Sequence, residues 1–291
     1  MDIRVLRYFL TIAREESISG AADFLHLTQP TLSRQIRELE EELGTTLLIR
    51  GNRNITLTES GMLLRKRAEE IISLVDKTEA ELIKPEEMIS GDIYIGSGET
   101  DAIRSIAKIA KKLQEVYPLI RYHLYSGNAE NVKERLDNGL LDFGILIEPS
   151  DIKKYDFLRL PATDTWGLLM RKDSDLASKD TIVPKDLWGL PLLCSAQSMV
   201  KEVLSGWIGK NMDDLNIVAT YNLIYNATIM VEEGFGYALC LDKLVNTSGN
   251  SNLCFKPLSP LLEAHLDIIW KKYQVFSRAS KLFLDHIHEM I

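Results

Sequence analysis

The sequence predicts an α/β protein in three parts: a small helical head closed by a hairpin, one long connecting helix, and a larger body of alternating strands and helices. Three observations predict it. Apolar residues recur at helical spacing through the first 43 residues, two short β-type runs flank Gly51-Asn52-Arg53, and beyond Gly91 strand-like runs alternate with amphipathic helical segments.

A chain of 291 residues is long enough for two or three domains, and 45% apolar with 26% charged residues is the composition of a globular protein, not a disordered or fibrous one. No apolar run reaches the length of a membrane span. The N-terminal MDIRVLRYFLTIAREE, charged on both sides of a short apolar patch, does not read as a signal peptide, so a cytoplasmic location is expected. Cys194, Cys240 and Cys254 have neither metal-ligand spacing nor an even count and read as idle thiols in a reducing compartment. The formal net charge of −8 is unevenly spread. Residues 1–67 hold ten Lys/Arg against nine Asp/Glu, and the remainder holds 24 against 33. Within the head the cations gather at Arg34, Arg37, Arg50, Arg53 and Arg65-Lys66-Arg67, and a local basic surface of this kind is what phosphate responds to.

In the head, Ile3, Leu6, Phe9, Leu10 and Ala13 mark a first amphipathic helix. Ser17 caps a second, whose Ala21, Ala22 and Leu25 allow close helix crossing. A third runs from Thr28 to Leu43, with Thr28 as cap, Pro30 in the first turn, Leu32, Ile36, Leu39 and Leu43 as an apolar stripe, and Gly44 as its stop. At about 100° per residue from Leu32, Pro30, Ser33, Arg34 and Arg37 fall on the outer face. Two helices joined through a short turn at His26 and Leu27, the second polar outside, make the helix-turn-helix pattern; His26 is expected to serve packing or the turn. The runs 47–50 and 54–57 form a small hairpin, a wing, with Arg50 and Arg53 placed for a nucleic-acid backbone or minor groove. Taken alone, the third helix also fits an ordinary amphipathic surface helix; the flanking elements decide for the DNA reading.

Residues 6–61 resemble the winged helix-turn-helix head of LysR-type transcriptional regulators. The resemblance is carried by Leu6, Phe9, Ser17, Ala21-Ala22, Leu25, Thr28-Gln29-Pro30, Leu32-Ser33-Arg34-Gln35-Ile36, Leu39-Glu40, Leu43-Gly44, Arg50, Arg53, Leu57-Thr58 and Gly61. Leu48 stands where that family usually has Phe, and Gly20 at a position that is often polar. The candidate DNA contacts are Thr28, Gln29, Pro30, Thr31, Ser33, Arg34 and Arg37 on the third helix, with Arg50 and Arg53 in the wing. Double-stranded DNA with an operator of dyad symmetry is the expected partner.

From Thr58 a long helix carries Leu64, Ala68, Ile71, Val75 and Leu82 at heptad spacing, Thr78 filling the remaining position, until Pro85 ends it. Such a seam fits either a helix packed on its own domain or a pairing helix. The resemblance favours pairing and implies a homodimer or homotetramer.

The body reads βαβαβ over IYIG (93–96), a helix at 101–117, RYHLYS (121–126), a helix at 129–138 and DFGILI (142–147), which implies a parallel sheet with ligands at the strand C-termini. A second series runs through strands at 166–171, 190–196, 216–221 and 236–240 with helices at 199–210 and 225–233, and 266–270 plus a last helix close the chain. Gly96-Ser97-Gly98 lacks the third glycine of a dinucleotide fingerprint, Asp101 standing there, so no cofactor is expected. The five histidines form no catalytic or metal pattern, so neither an enzyme nor a metal site is expected.

This region is similar to the effector-binding domain of the same family. The similarity implies two α/β subdomains like those of periplasmic binding proteins, 91–160 with 266–291 and 161–265, after a head at 1–57 and a linker at 58–90. It implies a small-molecule cleft lined by Thr100, Ser126, Asn128, Ile147, Ser195, Gln197, Ser198 and Asn222, with Thr100 holding an effector carboxylate. Ile147 stands where some members have a polar or basic residue, and Glu99 and Glu148 stand near the rim. The expected effector is therefore small and polar, and neutral, zwitterionic or at most singly anionic. The leading reading is an effector-responsive transcriptional regulator; the alternative is a solute-binding protein without DNA function.

Overall fold

Why the first helices form is plain from their caps and stripes. The computed structural model describes residues 1–51, 54–82, 89–148 and 150–290. Helix α1 (Ile3–Glu15) starts on Asp2, whose carboxylate accepts from the Arg4 amide at 2.7 Å, and α2 (Ile18–Phe24) starts on Ser17, whose hydroxyl accepts from Gly20 at 3.1 Å. His26 is exposed and adopts φ 54°, turning the chain between α2 and α3 (Gln29–Leu43); its role is the turn, not packing. Gly44 closes α3 at φ 64°. One core joins these helices, with Phe9, Ile12, Leu32, Ile36 and Leu47 fully buried, each such side chain contributing about 1.5–3 kcal/mol of transfer free energy. The α1 stripe includes Val5 and Ile12 and leaves Ile3 exposed, a rotation of the expected face.

Strands β1 (Leu48–Arg50) and β2 (Ile55–Leu57) pair antiparallel to form the hairpin. Glu40 of α3 fixes it, its carboxylate accepting from the Leu47 and Leu48 amides at 2.7 and 3.1 Å. Thr58 caps α4 (Glu59–Leu82) by accepting from Gly61 at 2.9 Å while its hydroxyl donates to the Thr46 carbonyl at 2.7 Å. Residues Met1–Lys84 make one compact unit, in which α4 packs along α1, and Pro85–Ile291 make a second.

The body is built on a nine-stranded sheet. In chain order its elements are β3 (Gly91–Ser97), α5 (Ile103–Val116), β4 (Ile120–Ser126), α6 (Ala129–Asp137), β5 (Phe143–Ile147), β6 (Tyr155–Arg171), β7 (Leu192–Ser195), α7 (Ser198–Ile208), β8 (Ile217–Tyr221), α8 (Ile224–Glu232), β9 (Tyr237–Leu241), β10 (Leu253–Pro257), β11 (Glu263–Lys271) and α9 (Arg278–Met290). The order is β4-β3-β5-β11-β6-β9-β7-β8, with β10 on β6. β3 is parallel to β4 and β5, and β7 to β8 and β9. β6 and β11 are antiparallel to their neighbours, so the sheet is mixed where the alternation implied a parallel one.

β6 has 17 residues and serves both halves of the body. Its first part pairs with β11, and from Trp166 it pairs with β9. The register with β11 slips between the pairs Arg159↔Asp267 and Thr163↔His265, around Pro161, which has no amide proton to give the ladder. Each half has its own core. Ile95, Ile106, Phe143, Ile268 and Phe283 lie in the first, and Leu168, Leu187, Leu192, Leu204 and Leu239 in the second. No helix among the described residues is long and apolar enough to cross a membrane.

Gly61 marks the tightest junction of the head: a Cβ there would lie 2.2 Å from the Leu47 carbonyl oxygen. Gly61→Ala should therefore pry the hairpin from α4 and lower stability by about 1–3 kcal/mol. Urea denaturation followed by circular dichroism measures it, and an unchanged midpoint would refute the packing described.

Candidate functional site

The outer face of α3 begins at its N-terminus. Thr28, Gln29, Pro30 and Thr31 are all exposed, as are Arg34 and Arg37. Thr28 occupies the cap position but makes no cap bond; its hydroxyl pairs with that of Thr31 at 2.8 Å. Arg34 lies 3.6 Å from Glu38, and Gln35 donates to the same carboxylate at 2.7 Å. Exposed pairs of this type are worth about 0–1 kcal/mol, so an incoming phosphate or base edge displaces Glu38 at little cost. Ser33 corrects the expectation: it is 5% exposed, on the core side, and its hydroxyl accepts from Arg37 at 3.5 Å. A hydroxyl is small enough to sit at the seam, turned from the outer face on which it was expected. Leu43, placed in the buried stripe, is 41% exposed. Arg50 is exposed at the end of β1, while Arg53 lies outside the described residues.

Helix α4 places the heptad residues unequally. Ala68 is fully buried and Leu64 packs on the head core, so these two face α1 within the chain and present no free seam. Ile71 and Val75 are half-buried, and the side chain of Leu82 lies outside the description. Leu63 and Leu74, eleven residues apart and so on one face of the helix, are exposed.

In the body, a cavity of about 70 Å³ opens between the two halves where β3, β5, β7 and β8 end. It is lined by Glu99, Asn128, Ile147, Ser195, Gln197 and Asn222, together with an apolar wall that includes Trp166, Val200, Tyr221, Ile224 and Leu244. Asn128 caps α6, its side-chain oxygen accepting from Asn131 at 2.9 Å. Ser195 accepts from the Gln197 amide at 3.3 Å, and the Asn222 side chain accepts from Leu223 at 2.9 Å. Ile147 belongs to the edges of both cores and forms the floor. Two bonds cross the cleft. The Gln197 side-chain oxygen accepts from the Ala129 amide at the start of α6 at 3.4 Å, and the Glu99 carboxylate accepts from the Ile224 amide at the start of α8. The chain thus supplies its own acceptor to each helix start.

Two expected residues lie elsewhere. Thr100 is buried and does not line this cavity; its hydroxyl donates to Asp164 at 2.5 Å and accepts from Ala102 at 3.0 Å. The need of a buried carboxylate for a donor takes the hydroxyl that the resemblance assigned to an effector. Asp164, 1% exposed at the middle of β6, has its carboxyl raised above the usual range by burial, with the Thr100 bond opposing. Ser126 is exposed in a neighbouring pocket beside Ser97, Arg104 and Lys243. Ser198 opens α7, its side chain outside the description. Glu148 is bonded to Arg159, which also holds Asp267 at 2.6 Å. The apolar wall escaped the sequence reading; the residues at strand C-termini, such as Tyr221, were its available signal.

Comparison with known proteins agrees with both units. Residues 3–62 match the model described as bacterial regulatory helix-turn-helix protein, lysR family, and residues 86–291 match the LysR substrate binding domain. The chain is 27% identical to the HTH-type transcriptional regulator YvbU of Bacillus subtilis over all of this chain and 99% of that one. It is 32% identical to the DNA-binding transcriptional dual regulator OxyR of Escherichia coli over 66% of this chain and 63% of that one. In fold it matches full-length CbnR complexed with its target DNA, with a TM-score of 0.79 at 18% identity and full coverage of both chains.

Replacing Thr100 with Val strips Asp164 of its donor and raises its carboxyl further. The contribution of a buried acid with a raised pKa is greatest at low pH and falls as pH rises through the folded value, and the substitution deepens that fall. Thr100→Val should therefore cost about 1.5–3 kcal/mol near neutrality and progressively less toward acid pH, where the carboxyl is protonated. Denaturation curves at the two pH values measure the difference; a deficit independent of pH would contradict the assignment.

Proposed function

Since the chain belongs to the LysR family of bacterial transcriptional regulators, we propose that it reads operator DNA of dyad symmetry with α3 and the wing, as a homodimer or homotetramer in the cytoplasm, under control of a small polar effector bound in the cleft. The observation that carries this reading is the exposed start of α3, where Thr28 to Thr31, Arg34 and Arg37 stand together over a well-packed head. A helix of that width fits the major groove of B-form DNA, and Arg34 has the reach and fork geometry for a guanine edge. Arg50 supplies a phosphate contact that positions the head without reading sequence. A solute-binding protein without DNA function would have no use for the helix-turn-helix unit.

Effector binding acts by changing the angle between the two halves of the body, and with it the spacing of the paired heads on DNA. Dimer contacts come from the face of α4 that carries Leu63, Ile71 and Leu74, while Leu64 and Ala68 hold α4 to its own head. OxyR-related activators named for induction by hydrogen peroxide are among the relatives. Two of this chain's three thiols, those buried in the body, argue for a different trigger. Cys194 on β7 packs with Trp166 and Leu168, and Cys240 on β9 packs with Leu169 and Leu193 on the opposite face of the sheet. Burial pushes both thiols up to about 12, which leaves almost no thiolate near neutral pH.

Arg34→Ala should weaken binding to the specific operator by about 1–3 kcal/mol and relax base preference at one position, as read by electrophoretic mobility shift on operator variants. Binding by the variant that equals the parent on every sequence would sink the assignment of α3. Leu74→Glu should raise the dimer dissociation constant by about tenfold or more, because the charge would be buried at the seam. Sedimentation at low concentration reads it, and an unchanged mass would place the interface elsewhere. Hydrogen peroxide should leave operator binding unaltered, and a thiol reagent should label Cys194 and Cys240 only after denaturation. Rapid labelling of the folded protein at neutral pH would overturn the thiol assignment.

A further inference from the structure

Glu99 is the one formal charge in the lining of the cleft among the described residues; no Lys, Arg, His or Asp side chain joins it there. It forms no salt bridge among the described residues, and its hydrogen bond is to the Ile224 amide. Arg104 and Lys243 share a neighbouring pocket with Glu99, outside the lining of the cleft, and pair there with Asp101 at 2.7 Å and Asp242 at 3.1 Å. The half-charge of a helix start offsets a carboxylate only in part. The rest of the lining is largely apolar, and it includes the aromatic side chains of Trp166 and Tyr221, a residue type that attracts an ammonium group wherever a ring face meets it. The acidic excess of residues 68–291 adds a long-range field of the same sign. A ligand carboxylate entering here would meet Glu99 at short range with no cation in the lining to balance either group, and it would find the starts of α6 and α8 already occupied by Gln197 and Glu99.

We propose that the cleft takes a small amine, a protonated nitrogen on a compact apolar body, with the Glu99 carboxylate as its counter-ion. The proposal rests on the reading of this cleft as the effector site. A carboxylate accepts through both oxygens, so Glu99 holds the Ile224 amide with one and receives the ammonium with the other. The cavity of about 70 Å³ sets the size of the body. At roughly 10–15 Å³ of such volume per water, it takes about five water-sized groups, the bulk of a four- or five-atom chain.

The test uses the whole chain and two matched series, n-butylamine, 1-butanol and butyrate, then n-propylamine, 1-propanol and propionate, at millimolar concentration. Melting temperature and isothermal calorimetry are the readouts. The amines should stabilise and bind, the alcohols bind more weakly, and the carboxylates not bind. Glu99→Gln should lower amine affinity by about tenfold or more and bring it level with the alcohol. Gln197→Trp fills the cavity, and Asn222→Trp, at an exposed lining position, is the second block should the first fail to fold; either should abolish amine binding, with circular dichroism as the check on folding. Carboxylate binding that the tryptophan variants abolish would overturn the amine proposal and leave the cleft reading standing. Amine binding that survives both blocks would overturn the cleft reading itself. A wild-type protein indifferent to every amine overturns the proposal, as does amine affinity unchanged in Glu99→Gln.

Discussion

Two strands run through both halves of the body, and most of its behaviour follows from that. β6 spans Tyr155–Arg171 without a break, and β11 lies antiparallel along it while also pairing with β5. The halves therefore share a continuous ladder and cannot drift apart, yet they keep separate cores and can bend where the ladder is weakest. That point is the slip around Pro161, a few residues before the buried Asp164. Thr100 satisfies Asp164 from the start of the α5 region, tying the first half to the shared strand just beside the cleft. A short irregular stretch between two separate cores is the kind of place at which ligand binding could turn one half against the other.

The cleft is drawn together by groups that a ligand can replace. Gln197 reaches from the second half to the start of α6 in the first, and Glu99 reaches from the first half to the start of α8 in the second. Each bond is modest, and each is made to a helix start that would otherwise need water or an effector atom. A ligand that displaced them would bias the arrangement of the two halves by no more than its differential affinity for the arrangements available. The head is simpler. Glu40 and Thr58 lock the hairpin to α3 and α4 through backbone amides and carbonyls.

The periodic parts of the fold were legible because their signals are local. The caps at Ser17 and Thr58, the stop at Gly44 and the apolar stripe through Leu32, Ile36 and Leu39 all stand in the sequence, and the alternation of the body gives the βα units. What failed did so for want of a partner distant in the chain. The first half of β6, rich in charge around Asp156 and Arg159, reads as a loop until β11 supplies Asp267 to pair with Arg159 across more than a hundred residues. β10 hides between Ser/Gly-rich and Pro-rich stretches and becomes a strand only on the edge of β6. At the cleft, Thr100 was legible as a hydroxyl near a helix start, but the carboxylate that claims it, Asp164, lies 64 residues away. Ser33 sits at the border of the α3 stripe, where angular bookkeeping cannot separate a seam position from an outer one. Ala68 shows the same limit, since a heptad says that a face is buried and leaves open by what.

The central claim is that the state of the cleft governs how paired heads sit on DNA. The most direct measurement is a nuclease footprint of the full-length protein on an operator recovered from its own genome, taken for the parent and for Gln197→Trp, in which the cleft is permanently filled. The account predicts that the parent protects a site of dyad symmetry and that the filled variant shifts the outer boundary or the pattern of enhanced cleavage between half-sites. Identical footprints from a folded variant would contradict it, because the angle between the two halves would then have no bearing on the DNA.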